Sequence, residues 1–219
     1  MRQVGGCWLS WSGIVVFAAL AISFGCSGRT QPSADAIVQL SHEETLEWIR
    51  QHKAWQRARK VKPILARPLE REELGKEFQT ADHAVERAQE GYWLCVGIAG
   101  EPWFQKKDRI DSRYERQGEE VKQFAFDTRP LQYQVLKPKG DTLNWAAQVQ
   151  GTWKGKTIQA FEIRPNYDME HPLVAPAGGY AVTDDTADPY RHDLKDVWLV
   201  QQALFESTYE RISDAAAKP

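Results

Sequence analysis

The chain has few cysteines, and their positions exclude a disulfide within its folded part. Only three occur in 219 residues, and Cys7 and Cys26 both fall in the N-terminal segment. Cys95 is then alone, so an intramolecular disulfide is not possible. Its neighbours Trp93 and Val96 are apolar, which favours a buried thiol that packs as a small hydrophobe rather than a nucleophile.

Motifs for common catalytic chemistries are also missing. The sequence has no nucleophile elbow, no glycine-rich phosphate loop and no histidine pair at a zinc-binding spacing. We therefore expect no cofactor and no metal. The formal net charge of -2 gives no reason to expect a nucleic-acid partner.

An apolar leader opens the chain. Arg2 is the only charged residue before Arg29, and the stretch between them predicts a signal peptide over residues 1–25. The segment 23–27, Ser-Phe-Gly-Cys-Ser, resembles the lipobox of bacterial lipoproteins, although a leucine and a small residue usually stand where it has serine and phenylalanine. The resemblance implies that Cys26 is the lipid attachment site and that the mature protein contacts the membrane through this anchor.

Two alternatives to lipidation remain open at the N-terminus. The segment could stay uncleaved as a single-pass anchor, because residues 4–26 carry no charge and are long enough to span a bilayer. It could also be cleaved to release a secreted protein. All three readings place the rest of the chain outside the cytoplasm, in the cell envelope or beyond it.

A polar tether and a helix follow the leader. Residues 26–40 are largely polar and predict a tether. Ser41 and Glu44 have the spacing of a capping box, so we expect a helix over 41–60 with a basic second half. Those cations suit the C-terminal end of a helix, and contact with anionic lipid headgroups is the alternative. Residues 214–219 form a short tail.

Part of the remaining chain is repeated. Residues 103–116 align without gaps on residues 198–211, and five of the fourteen pairs are identical. We also align Gly-Tyr at 91–92 with Gly-Tyr at 179–180, and Arg-Pro-Leu at 67–69 with Arg-Pro-Leu at 129–131.

The repeat predicts the domain organisation. We expect an α+β fold in which the helix precedes two related β-rich units, residues 61–120 and 121–213. The second unit would carry inserted strands within residues 142–150 and 156–164.

The second unit resembles a known module. Pro-Ala-Gly-Gly-Tyr at 176–180, the strand that follows it, and Phe-Glu-Ser-Thr-Tyr-Glu at 205–210 are similar to the PGDYG family of bacterial and phage proteins. Gly179 stands where that family has aspartate, and the first unit keeps only the Gly-Tyr pair and the Tyr-Glu end. The family has no established activity, so the resemblance implies no catalytic residues.

Two groups of residues are candidates for a site. Trp145 and Trp153 lie among polar residues, a mixture suited to sugar or peptide recognition, although tryptophans more often belong to the core. Asp168, Glu170 and His171 gather two carboxylates and an imidazole, and a solvated loop is the alternative.

These observations favour a non-enzymatic envelope lipoprotein. It would bind a partner protein or an envelope polymer, or serve as a structural unit of a larger complex, and a cleft between the two units is the expected site. The alternative is an extracytoplasmic hydrolase that acts on cell-wall or sugar material through Asp168, Glu170 and His171. That alternative requires the three side chains to converge on one pocket.

Overall fold

The computed structural model describes residues 37–80, 84–123, 130–166, 171–192, 194 and 196–212. The predicted signal peptide, Cys26, most of the tether and the tail lie outside these residues. Among the described residues, no helix is long and apolar enough to cross a membrane.

The chain is mostly β, with 49% strand and 18% helix, so the predicted α+β class is wrong. Three α-helices and a 3₁₀ turn at Arg71–Glu73 accompany the strands in the described part of the chain. The helices are α1 (His42–His52), α2 (Lys107–Arg113) and α3 (Gln202–Thr208).

Sixteen strands lie in the described residues. Eight come from the first part of the chain: β1 (Ile37–Leu40), β2 (Gln56–Lys60), β3 (Ile64–Pro68), β4 (Glu77–Gln79), β5 (Val85–Arg87), β6 (Tyr92–Val96), β7 (Pro102–Lys106) and β8 (Tyr114–Lys122). The others are β9 (Leu131–Pro138), β10 (Leu143–Gln148), β11 (Thr152–Trp153), β12 (Lys156–Ile163), β13 (Leu173–Pro176), β14 (Tyr180–Asp184), β15 (Val197–Val200) and β16 (Tyr209–Arg211).

Helix α1 begins where the sequence predicts and ends earlier. The Glu44 N–H donates to Ser41 Oγ at 3.2 Å and the Ser41 N–H donates to a Glu44 carboxylate oxygen at 3.4 Å, which confirms the capping box. Lys53 then adopts a left-handed conformation with φ 48°, which ends the helix. The predicted range 41–60 is therefore too long. Its basic second half forms strand β2, where Ala58 is buried between two neighbouring strands.

Two five-stranded sheets have the same strand order. The first sheet runs β7-β6-β3-β9-β8, and the second runs β15-β14-β10-β2-β16. In each, a seven-residue helix joins one edge strand to the other: α2 links β7 to β8, and α3 links β15 to β16.

The strand registers of the two sheets also agree. Trp103 pairs with Cys95 in the first sheet, and Trp198 pairs with Val182 in the second. At the opposite edge, Tyr114 pairs with Pro138 and Tyr209 with Lys60. The two aligned segments, 103–116 and 198–211, therefore occupy the same positions in their sheets.

The other two sequence alignments, of the Gly-Tyr pairs and of the Arg-Pro-Leu runs, do not agree with the strand registers. Trp93 pairs with Gln105 and Tyr180 with Val200, so Tyr180 corresponds to Trp93 and the Gly-Tyr alignment is one residue out of register. Arg67 and Pro68 of the first Arg-Pro-Leu run are the last two residues of β3, whereas Leu131 of the second run is the first residue of β9. Strands β3 and β9 are antiparallel neighbours in one sheet, so these two runs are not equivalent.

The sheets exchange strands, which overturns the expected helix followed by two successive units. Strand β2 belongs to the second sheet, although β3, which follows it after a connection of three residues, belongs to the first. Strand β9 belongs to the first sheet, although β10 belongs to the second. Because β2 lies before residue 61 and β9 lies after residue 120, neither 61–120 nor 121–213 contains a complete five-stranded sheet.

A third sheet covers the second. In it β12 pairs with β1, β11 and β13. Together with α1 it packs on the face of the second sheet that carries Ala147 and Ala181, and Leu40, Ile49 and Phe161 fill the core between them with no exposed surface. Burial of each such large side chain contributes roughly 1.5–3 kcal/mol. Residues 142–150 are not an insert, because β10 holds the central position that β3 holds in the first sheet.

Gly179 lies where this third sheet approaches the second. A Cβ atom at Gly179 would lie 3.1 Å from the Ala175 Cβ and 3.3 Å from the Phe161 ring. The close approach leaves little room for a side chain at this position, and an aspartate here would bury a carboxylate against a phenyl ring.

Gly179→Asp is expected to lower the free energy of unfolding by about 3 kcal/mol or more, because it overpacks the core and buries a charge. Gly140→Asp is the matched control, since nothing lies within 4 Å of its Cβ position. It should change stability by less than about 0.5 kcal/mol. Urea denaturation of both variants measures the difference, and equal midpoints would contradict the packing described here.

Candidate functional site

A cavity of about 700 Å³ lies between the two five-stranded sheets. Much of its lining comes in pairs, one residue from each sheet at equivalent register positions. Six such pairs are Trp103 with Trp198, Tyr114 with Tyr209, Lys106 with Gln201, Arg109 with Leu204, Arg113 with Thr208, and Pro138 with Lys60.

Aromatic rings are the part of the lining that both sheets supply. Trp103 and Tyr114 come from the first sheet, and Trp198 and Tyr209 are their equivalents in the second. Burial raises the pKa of Tyr209 to about 12 and raises that of its equivalent, Tyr114, as well. Both hydroxyls are therefore neutral at physiological pH, and each is a potential hydrogen-bond donor and acceptor.

The cations of the cavity come from only one member of each pair. Lys106, Arg109 and Arg113 lie on the side of the first sheet, where the second has Gln201, Leu204 and Thr208. Lys60 lies on β2 of the second sheet, where the first has Pro138. The fold that the sheets share therefore does not require a cation at any of these positions.

Two of these cations are neutralised by acidic residues of the opposite sheet. Arg109 Nη2 contacts Asp184 at 2.8 Å, and its Nη1 contacts Asp196 at 3.1 Å. Arg113 Nη1 pairs with Asp184, and its Nη2 donates to Asn144 Oδ1 at 2.9 Å. This ion cluster joins helix α2 of the first sheet to the second sheet at the side of the cavity.

Lys60 has no such partner. Its ammonium lies 4.6 Å from the centre of the Trp103 ring, and it makes no hydrogen bond or ion pair with the residues that the structure describes. Burial lowers the pKa of Lys60 to about 8; the charge of Arg113 acts in the same direction, while Glu101 and Cys95 oppose it. At neutral pH the cavity therefore holds a poorly solvated cation that makes no ion pair with the described residues.

Glu101 is the carboxylate whose charge raises the pKa of Lys60. The turn between β6 and β7 holds it in place. The Ala99 N–H donates to Glu101 Oε2 at 2.9 Å, and a Cβ atom at Gly97 would collide with the Glu101 carboxylate. Glu101 therefore lies over Gly97 and stabilises the turn, and it is not paired with Lys60.

The two tryptophans predicted as binding residues do not line this cavity. Trp153 is buried under α1, and its Nε1–H donates to Glu44 at 3.3 Å. Trp145 is half-buried, its Nε1–H donates to the Thr186 carbonyl at 3.0 Å, and the Arg57 guanidinium lies 4.4 Å from its ring centre. Both pack with the core under the third sheet.

The acidic cluster falls partly outside the described chain. Asp168 and Glu170 lie in a segment that the structure does not describe, and His171 is exposed just before β13. Within the described residues, no three His, Cys, Asp or Glu side chains are grouped in a way that could hold a metal ion. The hydrolase hypothesis therefore still rests on sequence alone.

Cys95 is fully buried, and burial raises the pKa of its thiol, as expected for a thiol that packs as a small hydrophobe. Lys60, Tyr114 and Tyr209 were missed as site residues by sequence reasoning. The repeat contains a signal for the two tyrosines, because Tyr114 and Tyr209 are identical in the alignment and both line the cavity. The cations of the lining, in contrast, have no cation at the equivalent position of the other sheet.

Comparison with family models, with curated proteins and with solved structures finds no match to this chain. The similarity to the PGDYG family therefore stays a prediction from the sequence.

Lys60→Met is expected to stabilise the fold at pH 7 by about 2 kcal/mol, because it removes a desolvated charge and keeps an unbranched side chain of similar length. Lys60 titrates at 10.5 when unfolded and at about 8 when folded. Between these values the unfolded chain binds more protons, so rising pH stabilises the wild type. The advantage of the variant is then full below pH 8 and shrinks toward pH 10.

Chemical denaturation from pH 7 to pH 10 measures this difference. Lys62→Met is the matched control, because Lys62 is exposed and does not line the cavity. Its stability should follow that of the wild type at every pH. A Lys60→Met variant that is less stable than wild type at pH 7 would contradict the description of Lys60 as an unpaired cation.

Proposed function

We propose that this chain is a non-enzymatic binding protein of the cell envelope that holds a sugar-containing segment of an envelope polymer in the cavity between its two five-stranded sheets. The observation that carries the proposal is the lining: Trp103 and Tyr114 of the first sheet and Trp198 and Tyr209 of the second, interspersed with amide, hydroxyl and charged side chains.

The size of the cavity favours a polymer segment over a folded protein partner. Ligand sites for small molecules span roughly 300–1,000 Å³, and the volume of about 700 Å³ falls within that range. A stable protein partner instead needs roughly 800 Å² of surface on each side, which a concave site of this kind does not offer. One or two sugar residues are of suitable size.

The chemistry of the lining also suits a sugar. A pyranose ring has apolar C–H faces and hydroxyl edges, so it packs on aromatic rings while its hydroxyls need hydrogen-bonding partners. Trp103 and Trp198 supply rings from opposite sheets, and the neutral hydroxyls of Tyr114 and Tyr209 supply donors and acceptors. Gln105 and Asn144 add neutral polar side chains to the same lining.

The N-terminal resemblance supports the envelope location. A signal-like leader and a lipobox-like segment around Cys26 favour export and attachment to a membrane, and a tether would leave the cavity near envelope polymers. The partner in this proposal is thus a polymer that lies outside the cytoplasm.

A cavity-filling variant tests the proposal. Val85 lines the cavity and is 53% exposed, whereas Val174 is 46% exposed on β13 and lies outside the lining. Val85→Trp should weaken binding of N-acetylglucosamine-containing disaccharides by tenfold or more, because the indole takes up room in the cavity. Val174→Trp should leave the affinity within twofold of wild type. Isothermal titration calorimetry of the full chain in detergent measures both, and the absence of any disaccharide binding to the wild type would refute the proposed function.

A further inference from the structure

Lys60 is the feature of the cavity that the aromatic lining does not explain. Arg109 and Arg113 already pair with Asp184 and Asp196, and Lys106 is exposed to solvent. Lys60 is half-buried, faces the Trp103 ring, and makes no ion pair within the described residues. It is therefore a cation of the cavity that lacks both full hydration and a counterion.

The fold itself gives no reason for a cation at this position. The equivalent position in the first sheet is Pro138, which also lines the cavity and pairs with the equivalent tyrosine. A desolvated, unpaired ammonium disfavours the folded state, so a neutral residue would serve the sheet better. Groups that are unfavourable for stability and that lie in a cavity are candidates for ligand contact.

We propose that Lys60 binds the carboxylate of an acidic sugar, so that the ligand of the cavity carries a single negative charge next to a sugar ring. The inference rests on the proposed function and narrows its ligand class. The carboxylate would supply the direct ion-pair partner that the described residues do not, and the sugar ring attached to it would lie against the aromatic lining close to Trp103.

A carboxylate fits the available charge better than a phosphate does. One ammonium balances one negative charge, whereas a phosphate dianion calls for several cations or an arginine fork. Both arginines of the lining are already engaged by aspartates. Glu101 also raises the local negative charge around Lys60, which disfavours a second negative charge on the ligand.

The test compares, on the full chain in detergent, two disaccharides that differ only in the lactyl group that carries the carboxylate. One is neutral N,N′-diacetylchitobiose, and the other is the disaccharide of N-acetylglucosamine and N-acetylmuramic acid, which carries one carboxylate. Wild type should bind the acidic disaccharide tenfold or more tightly than the neutral one, by calorimetry at pH 7. In Lys60→Met the ratio of the two affinities should fall to within twofold of one.

Two further variants keep the result interpretable. Lys62→Met should retain the wild-type ratio of the two affinities. Lys62 is an exposed lysine two residues after Lys60, in the connection from β2 to β3, and it lies outside the cavity lining. Lys60→Gln replaces Lys60→Met if the methionine variant fails to fold by circular dichroism, and it should also lose the preference.

The possible outcomes separate this inference from the function on which it rests. Equal binding of both disaccharides by the wild type, or an unchanged ratio in the Lys60 variants, overturns the inference and leaves sugar binding in place. Failure of the wild type to bind either disaccharide overturns the proposed function and the inference with it.

Discussion

The exchange of one strand between the two five-stranded sheets is the constraint on which the rest of the structure depends. The chain crosses from β2 to β3 and again from β9 to β10, and each crossing is only a few residues long. Both crossings are fixed in the same way: the Val61 N–H donates to the Thr208 carbonyl and the Lys139 N–H to the Arg113 carbonyl, each at 2.9 Å. Each bond ties a crossing to the last residue of α3 or α2. The two short crossings therefore hold the sheets close to each other beside the cavity.

The two sheets share aromatic residues at equivalent positions and differ in the charged residues that line the cavity. Aromatic residues recur at equivalent positions because the edge strands pack in the same way in both sheets. The cations of the cavity lining do not recur, and the arginines of α2 meet aspartates of the second sheet to form the ion cluster. Partly exposed ion pairs of this kind contribute little individually, so the cluster orients the sheets more than it stabilises them. Lys60 is a lining cation for which the described part of the chain supplies no ion pair.

Local signals in the sequence were read correctly more often than long-range ones. The capping box at Ser41 placed the start of α1, and the apolar neighbours of Cys95 predicted its burial. The basic run after Lys53 favours a helix end by its sequence, since a pattern of small and charged residues does not reveal that Ala58 is covered by two neighbouring strands. Periodicity indicates a strand but not its partner, so the exchange of β2 and β9 could not be predicted, nor could a cavity formed between their sheets. Trp145 and Trp153 lie among polar residues in the sequence, yet both rings pack with the core under the third sheet, and Asn144 beside Trp145 is itself buried.

A cavity whose walls are joined by two short crossings has little freedom to close around a ligand. Selectivity in such a site comes from groups that are already in place, and not from a change of shape that only the correct ligand would induce. Rings accept many sugars, because every pyranose offers an apolar face, so the aromatic lining by itself discriminates weakly. A single unpaired ammonium discriminates more strongly, because a neutral ligand that displaces the remaining water leaves the charge unsatisfied, whereas an anionic ligand compensates it. Lys60 therefore reduces the stability of the empty protein and, by the same desolvation, increases its preference for an acidic ligand.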